Sequence, residues 1–385
     1  MNELRSKIEA EICKRGPIPF SRYMEMCLCD PEFGYYSRNA SQFGKAGDFF
    51  TSSDVHAVFG RLLARQFDEM WRVLGSPERI VIRELGPGRG LFAQDVMDWS
   101  EKKFPKFFSA MTYELVEQSS ALQTKIRETL RQRLESHKAE VVMPKSPLLA
   151  KSARNGAPKN HSTVPTIVFA NEFFDALPVE ILSSRGSLRI GRRDGQFVET
   201  WVTASADELE FLDRYSVHPE EGERIEGPLV AQGEMLAACE IERGFLVVID
   251  YGYTREEQLA GRHRGTLKAI RQHSVSGNPY EAPGAQDITA DVNFTALAAI
   301  AEQRDFRAQK LITQSQFLMG IGEENQFADA FEGCRLPQER AKVALQLKHL
   351  VTPAGMGESF HVLVASKGVD AEQVSALAGL SFGRK

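Results

Sequence analysis

Cysteine is scarce in this chain: five in 385 residues, at Cys13, Cys27, Cys29, Cys239 and Cys334. An odd, scattered set is not a disulfide framework. Cys27-Leu28-Cys29 is too tight for the usual Cys-x-x-Cys zinc pair, and no second pair exists. The five are read as reduced, which leads to the expectation of a cytoplasmic protein. No apolar run reaches the roughly 18 residues of a membrane-spanning helix. Residues 1–15 alternate charged and apolar residues and lack the apolar core of a secretory signal. Positive charge is not in excess either. Lys and Arg number 47 against 52 Asp and Glu, for a net charge of −5, which argues against a nucleic-acid binder with a basic surface. No group of residues has metal-ligand spacing, no Ser-His-Asp set stands out, and there are no internal repeats. What remains is a globular composition, 42% hydrophobic and 26% charged, sufficient for one large domain with insertions or for two domains.

The pattern along the chain alternates between helix and strand. Residues 2–15 read as an amphipathic helix stopped by Gly16-Pro17, with further helices over Phe20–Cys29 and Val55–Trp71. Ile80–Leu85 is a short buried strand that runs into glycines and then into a helix from Leu91. Met111–Glu117, Val141–Met143, Thr166–Ala170, Gly244–Asp250 and Phe360–Ser366 read as further strands, and 144–165 as a surface loop. Continuous apolar runs such as Phe-Leu-Val-Val-Ile before Asp250 suit strands buried on both faces of a parallel sheet. The expectation is therefore an α/β fold of Rossmann-like type. Residues 54–180, 236–254 and 350–367 would form its core. Residues 1–53 would add N-terminal helices and a lid, 181–235 a β-rich insertion with a hairpin turning at Asp194-Gly195, and 255–349 a mostly helical insertion for substrate. Gln286–Thr289 reads as the start of a helix that Asp287 or Thr289 would cap, and His263 as a solvated residue.

A strand, a glycine turn and a helix together make a site for a nucleotide-containing ligand. The glycines let the backbone approach, and the helix N-terminus offers free N–H groups. By itself this is weak, because several cofactor classes use it, and Gly88-Arg89-Gly90-Leu91-Phe92-Ala93 also fits the dinucleotide pattern. Glu84 inside Glu84-x-Gly86-x-Gly88-x-Gly90 tips the balance. A carboxylate there can receive the ammonium of S-adenosylmethionine, whereas it would repel a pyrophosphate. Glu117, at the end of the next strand, is placed for the two ribose hydroxyls of either cofactor. The Thr166–Ala170 strand then runs directly into Asn171-Glu172-Phe173-Phe174-Asp175. In open sheets ligands sit beyond the carboxyl ends of the strands. Asn171 and Glu172 should therefore lie at the reactive end of the cofactor, with Glu172 and Asp175 able to hold a cationic acceptor. For Asp175 a helix cap is an equal alternative.

An ordered series of segments resembles one family, the MidA-like methyltransferases, which are related to a mitochondrial complex I assembly factor that methylates arginine. The series includes Pro19–Met24, Asp30–Tyr36, Gly47–Ser52, Glu84–Gly90, Tyr113–Glu117, Asn171–Pro178, Asp250–Tyr253, Gln286–Phe294 and Thr313–Leu318. The resemblance implies a class I methyltransferase fold and S-adenosylmethionine held at Gly86, Gly88, Gly90 and Glu117. It also implies a lid bearing Gly47, Asp48 and Thr51. For the acceptor it implies an arginine of a protein, converted to symmetric dimethylarginine on a complex I subunit. Two other functions remain open at this point. One is an assembly chaperone that binds the cofactor without turnover. The other is a nicotinamide-dependent oxidoreductase. The oligomeric state is also open, with a homodimer among the options.

Overall fold

The computed structural model describes residues 3–38, 57–144, 164–271, 274–323 and 325–383. Its centre is a mixed sheet. Across it run the strands Arg307–Ala308, Phe360–Lys367, Gly244–Tyr253, Thr166–Asn171, Ile80–Leu85, Met111–Val116 and Ala139–Val142. From Ala139–Val142 through Gly244–Tyr253 every neighbouring pair is parallel. Phe360–Lys367 is the departure from an all-parallel expectation. It returns from the long 254–359 excursion and enters from the opposite end, so it pairs antiparallel with Gly244–Tyr253.

The apolar runs explain which strands lie at the centre. Along Thr166–Asn171, Ile167 and Phe169 join the core on one face, and Val168 and Ala170 join the core on the other. Both sets are fully buried, so no polar alternation is possible. The helix Ala57–Val73 packs on the first face and the helices Leu229–Ala238 and Phe294–Glu302 on the second. Phe92, at the start of the helix Leu91–Lys103, stacks on Phe169 with ring centroids 4.6 Å apart. That contact fixes the helix end, and the glycine turn before it, against the sheet.

A second sheet carries the 181–235 insertion. Gly186–Arg193 and Gln196–Val202 form the expected hairpin, with Asp194 (φ 50°) and Gly195 (φ 72°) in the left-handed region that a tight hairpin turn requires. The N-terminal residues Ile18–Pro19 add an edge strand to this sheet. The helices Glu3–Arg15 and Phe20–Cys29 cover it, with Leu4, Ile8, Phe20 and Tyr23 packed on Ile181, Leu188 and Ile190.

The 255–349 insertion is less helical than its sequence pattern implies. Lys268–Arg271, Ser274–Ser276 and Asp287–Thr289 form a three-stranded antiparallel sheet. Asp287–Thr289 is thus a strand and not the start of a helix. Its partner lies some twenty residues upstream, a non-local pairing that overrides a short local pattern. His263 stacks on Tyr253 and contacts Asp291 at 3.0 Å, so it is half-buried rather than solvated. Among the described residues no helix is long and apolar enough to cross a membrane.

Candidate functional site

The strand order reverses between Ile80–Leu85 and Thr166–Asn171, and a cavity opens beyond the carboxyl ends of these two strands. This is the switch point at which open sheets bind ligands. Its floor is the glycine turn. Gly86, Gly88 and Gly90 have φ of 64°, 54° and 77°, a region that side-chain-bearing residues enter only at a cost. They divide the work. A Cβ on Gly88 would meet nothing within 4 Å, so that backbone faces open space. A Cβ on Gly86 would lie 2.6 Å from Phe173, whose ring rests on the turn. Gly90 does not line the cavity. It caps the helix Leu91–Lys103 and lets Leu130 approach, where a Cβ would lie 3.2 Å from Leu130 Cδ1.

Two carboxylates flank this floor. Glu84, 5% exposed, accepts a 2.9 Å hydrogen bond from the Tyr113 hydroxyl. Burial pushes its carboxyl up to about 8, with Glu117 adding and Tyr113 opposing. Glu117 ends the Met111–Val116 strand, and its Oε1 accepts the Ser119 N–H at 2.8 Å. Burial raises it to about 7, against the Ser119 and Gln118 N–H groups.

The opposite wall is the segment after Asn171. Asn171 Nδ2 donates to Glu172 Oε1 at 3.2 Å, and both residues line the cavity with Asp175. Asp175 does not cap a helix. Its Oδ2 accepts hydrogen bonds from the hydroxyls of Tyr251 and Thr289, the latter at 2.8 Å. Burial raises its pKa despite those donors. The wall continues with Cys29 and Tyr36 from the N-terminal segment and Asp287 from the three-stranded sheet. The Tyr36 hydroxyl lies 3.5 Å from Asp287 Oδ1. Glu180, next to Pro178-Val179, points elsewhere. It accepts from Ser21 Oγ at 2.5 Å and is 3.5 Å from Arg189 Nη1, so it does not pair with Glu172.

Of the residues expected from the sequence, Glu84, Gly86, Gly88, Glu117, Asn171, Glu172 and Asp175 share this one cavity. Gly47, Asp48 and Thr51 lie outside the described residues. Sequence patterns gave no role to Tyr36, Asp250, Tyr251 or Glu234. Asp250 had a signal of the right kind, since it is an acid ending an apolar run, as Glu84 nearly is. Tyr36 and Asp287 reach the cavity only through tertiary packing.

The donor set discriminates between ligand classes. Among the described residues the wall holds six carboxyl groups, on Glu84, Glu117, Glu172, Asp175, Glu234 and Asp287, against the one guanidinium of Arg89. With six carboxyl groups to one cation, such a wall offers little to pair with the pyrophosphate of a dinucleotide. It fits a ligand with a ribose, a sulfonium and an ammonium.

The comparisons with known proteins agree. Residues 62–312 match the model of a family described as "Putative S-adenosyl-L-methionine-dependent methyltransferase". The chain is 29% identical over 402 residues to the Drosophila melanogaster protein named "Protein arginine methyltransferase NDUFAF7 homolog, mitochondrial", with 98% of this chain and 88% of that protein covered. It is 27% identical over 378 residues to the human protein arginine methyltransferase NDUFAF7, mitochondrial, covering 91% of this chain and 80% of that one. A crystal structure of a superfamily member from Burkholderia thailandensis, bound to S-adenosyl-homocysteine, superposes with a TM-score of 0.81 at 28% identity. The match covers 98% of this chain and 94% of that chain. The curated relatives are named as mitochondrial proteins, which overturns the cytoplasmic expectation. Free thiols report a reducing compartment and do not say which one. The chain belongs to this family of S-adenosylmethionine-dependent methyltransferases.

Proposed function

We propose that this enzyme methylates arginine in a protein acceptor, and that Asn171, Glu172 and Asp175 form the acceptor side of its site. The observation that carries this reading is the placement of Glu172 and Asp175 in the same cavity as the glycine turn, with Phe173 between them resting on Gly86. S-adenosylmethionine supplies an electrophilic methyl group on a sulfonium. Gly86, Gly88, Glu84 and Glu117 hold it, Glu84 at the ammonium and Glu117 at the ribose hydroxyls. Gly90 shapes the turn on which the ligand rests, as the cap of the helix Leu91–Lys103. Methyl transfer is an in-line displacement whose main requirement is positioning. Two carboxylates can grip a guanidinium with charge-assisted, paired hydrogen bonds that orient one nitrogen. The proton that this nitrogen gives up goes to Asp175, because burial has raised the proton affinity of that carboxyl.

The names of the curated relatives support arginine as the acceptor. The family resemblance makes a subunit of respiratory complex I the first acceptor to try, with symmetric dimethylarginine as the product. The test uses methyl-tritiated S-adenosylmethionine and an extract of cells lacking the gene for this protein. Acid hydrolysis should then place the label in methylarginines, with stoichiometric S-adenosyl-homocysteine. Label in any other residue would defeat the arginine reading. Absence of turnover in the presence of bound cofactor would favour a binding chaperone instead.

A further inference from the structure

Asp250 lies just behind the site and takes no direct part in it. It ends the Gly244–Ile249 run, is 0% exposed and does not line the cavity. Its Oδ2 accepts three consecutive backbone N–H groups, from Phe173 at 3.2 Å, Phe174 at 3.0 Å and Asp175 at 3.3 Å. Its Oδ1 accepts the Tyr251 N–H at 3.0 Å. Successive N–H groups that converge in this way form a concave nest for an anion. Elsewhere such a nest binds an external phosphate. Here the chain fills it with its own carboxylate, carried on the neighbouring strand.

The nest dictates the path of the backbone. Glu172 still pairs with the sheet, its N–H donating to Ile249 O at 3.0 Å, but its φ is +50°. That left-handed turn is unfavourable for a glutamate, and it is what swings the next three N–H groups toward Asp250. The same turn aims Glu172 and Asp175 at the cavity and Phe173 at Gly86. The following residue, Tyr251, secures Asp175 by its hydroxyl from the same strand end.

We propose that Asp250 is the positioning residue of this enzyme: by filling the nest at 173–175 it holds Glu172 and Asp175 in the geometry that receives the acceptor. The inference rests on the reading that Glu172 and Asp175 face the acceptor. It predicts a specific split, in which losing Asp250 slows transfer but leaves the cofactor floor in place. Asp250→Ala empties the nest. Asp250→Asn keeps one oxygen for the three N–H groups but opposes its NH2 to the Tyr251 N–H, so its effect should be intermediate.

The experiment compares both variants and Glu172→Gln with the wild type. Three quantities are read: S-adenosyl-homocysteine affinity by calorimetry, the initial rate of tritium transfer to arginine in the gene-deleted extract, and amide hydrogen exchange at 173–175. Asp250→Ala should lower the rate by about thirtyfold or more and speed exchange at 173–175, while the affinity changes by no more than about threefold. If Asp250→Ala does not fold, Asp250→Asn decides, with a rate loss of about threefold or more expected at intact affinity. Both Asp250 variants transferring at the wild-type rate, while Glu172→Gln is slow, would overturn the inference. If Glu172→Gln is also at full rate, the acceptor-site reading fails. Exchange at 173–175 then judges Asp250 alone, and protection unchanged from the wild type overturns its positioning role.

Discussion

Glu84 keeps its proton far above the usual carboxylate range because burial disfavours its charge, and Glu117 does so to a lesser degree. The signs follow from linkage. A carboxyl whose folded pKa is raised binds its proton more tightly when folded. Its contribution to stability is fully present below the unfolded value of 4.5, and is lost as pH rises to about 8 for Glu84. In that window the ligand-free protein should lose up to about 1.4 kcal/mol per pH unit for each such proton. Glu84→Gln should flatten the dependence, as thermal scans across the range would show. On the proposed reading cofactor binding has the opposite trend, since an ionised Glu84 pairs with the ligand's ammonium and an ionised Glu117 is the stronger acceptor for its ribose hydroxyls. S-adenosyl-homocysteine affinity should rise between roughly pH 6 and pH 8 in the wild type and much less in Glu84→Gln. A flat wild-type profile would remove Glu84 and Glu117 from the binding site. Gly88→Val offers a second check at the residue scale. Its φ of 54° makes valine strained, but nothing lies within 4 Å of its Cβ. The variant should fold at a cost of about 1–2 kcal/mol, and calorimetry should find binding weakened by at least about a hundredfold as the side chain takes the ligand's space. These residues were legible in the sequence because each sits at a strand end with no apolar reason to be there. Gly90 shows the limit of that logic. The motif treats its three glycines alike, whereas the structure assigns one of them to helix packing.

The central strands were legible as elements because burial on both faces leaves an unbroken apolar run, as at Thr166–Asn171. Asp287–Thr289 was not, since three residues hold no period and the partner strand is remote in sequence. Thr289 and Tyr251 therefore became visible as the clamp on Asp175 only in three dimensions. Gly244 tests the register of the sheet. Its φ is 145°, and a Cβ there would lie 1.8 Å from Thr166 O on the adjacent strand. Backbone cannot yield as a side chain can, so Gly244→Ala should lower stability by roughly 3 kcal/mol or more in urea denaturation. An unchanged midpoint would contradict this strand pairing.

The site belongs to the whole molecule rather than to the central sheet alone. Its wall draws on residues near 29–36, 84–92, 116–122, 144, 171–177, 234 and 287, which are spread across most of the chain. A ligand seated there ties together the N-terminal helices, the sheet and the long insertion. Any partial opening that detaches one of these should cost binding. S-adenosyl-homocysteine at a hundredfold excess over its Kd should raise the stability of the folded state by roughly 2.7 kcal/mol, seen as a single, later thermal transition. A transition that splits in two would mean that the N-terminal helices open independently. Removal of residues 1–38 should be worse than neutral, since Ile181, Leu188 and Ile190 would lose their apolar cover. Aggregation of the truncated chain, measured by light scattering, is the expected outcome.

Phe173 resting on Gly86 has a consequence for how the two ligands communicate. If the ring belongs to the acceptor wall and the glycine to the cofactor floor, as proposed, neither ligand meets a surface that is independent of the other. Thermodynamic reciprocity then applies: whatever factor the acceptor adds to cofactor affinity, the cofactor must return to acceptor affinity. Selection acting on one affinity drags the other with it. A redesign that enlarges the acceptor pocket at Phe173 would surrender part of the grip on the methyl donor.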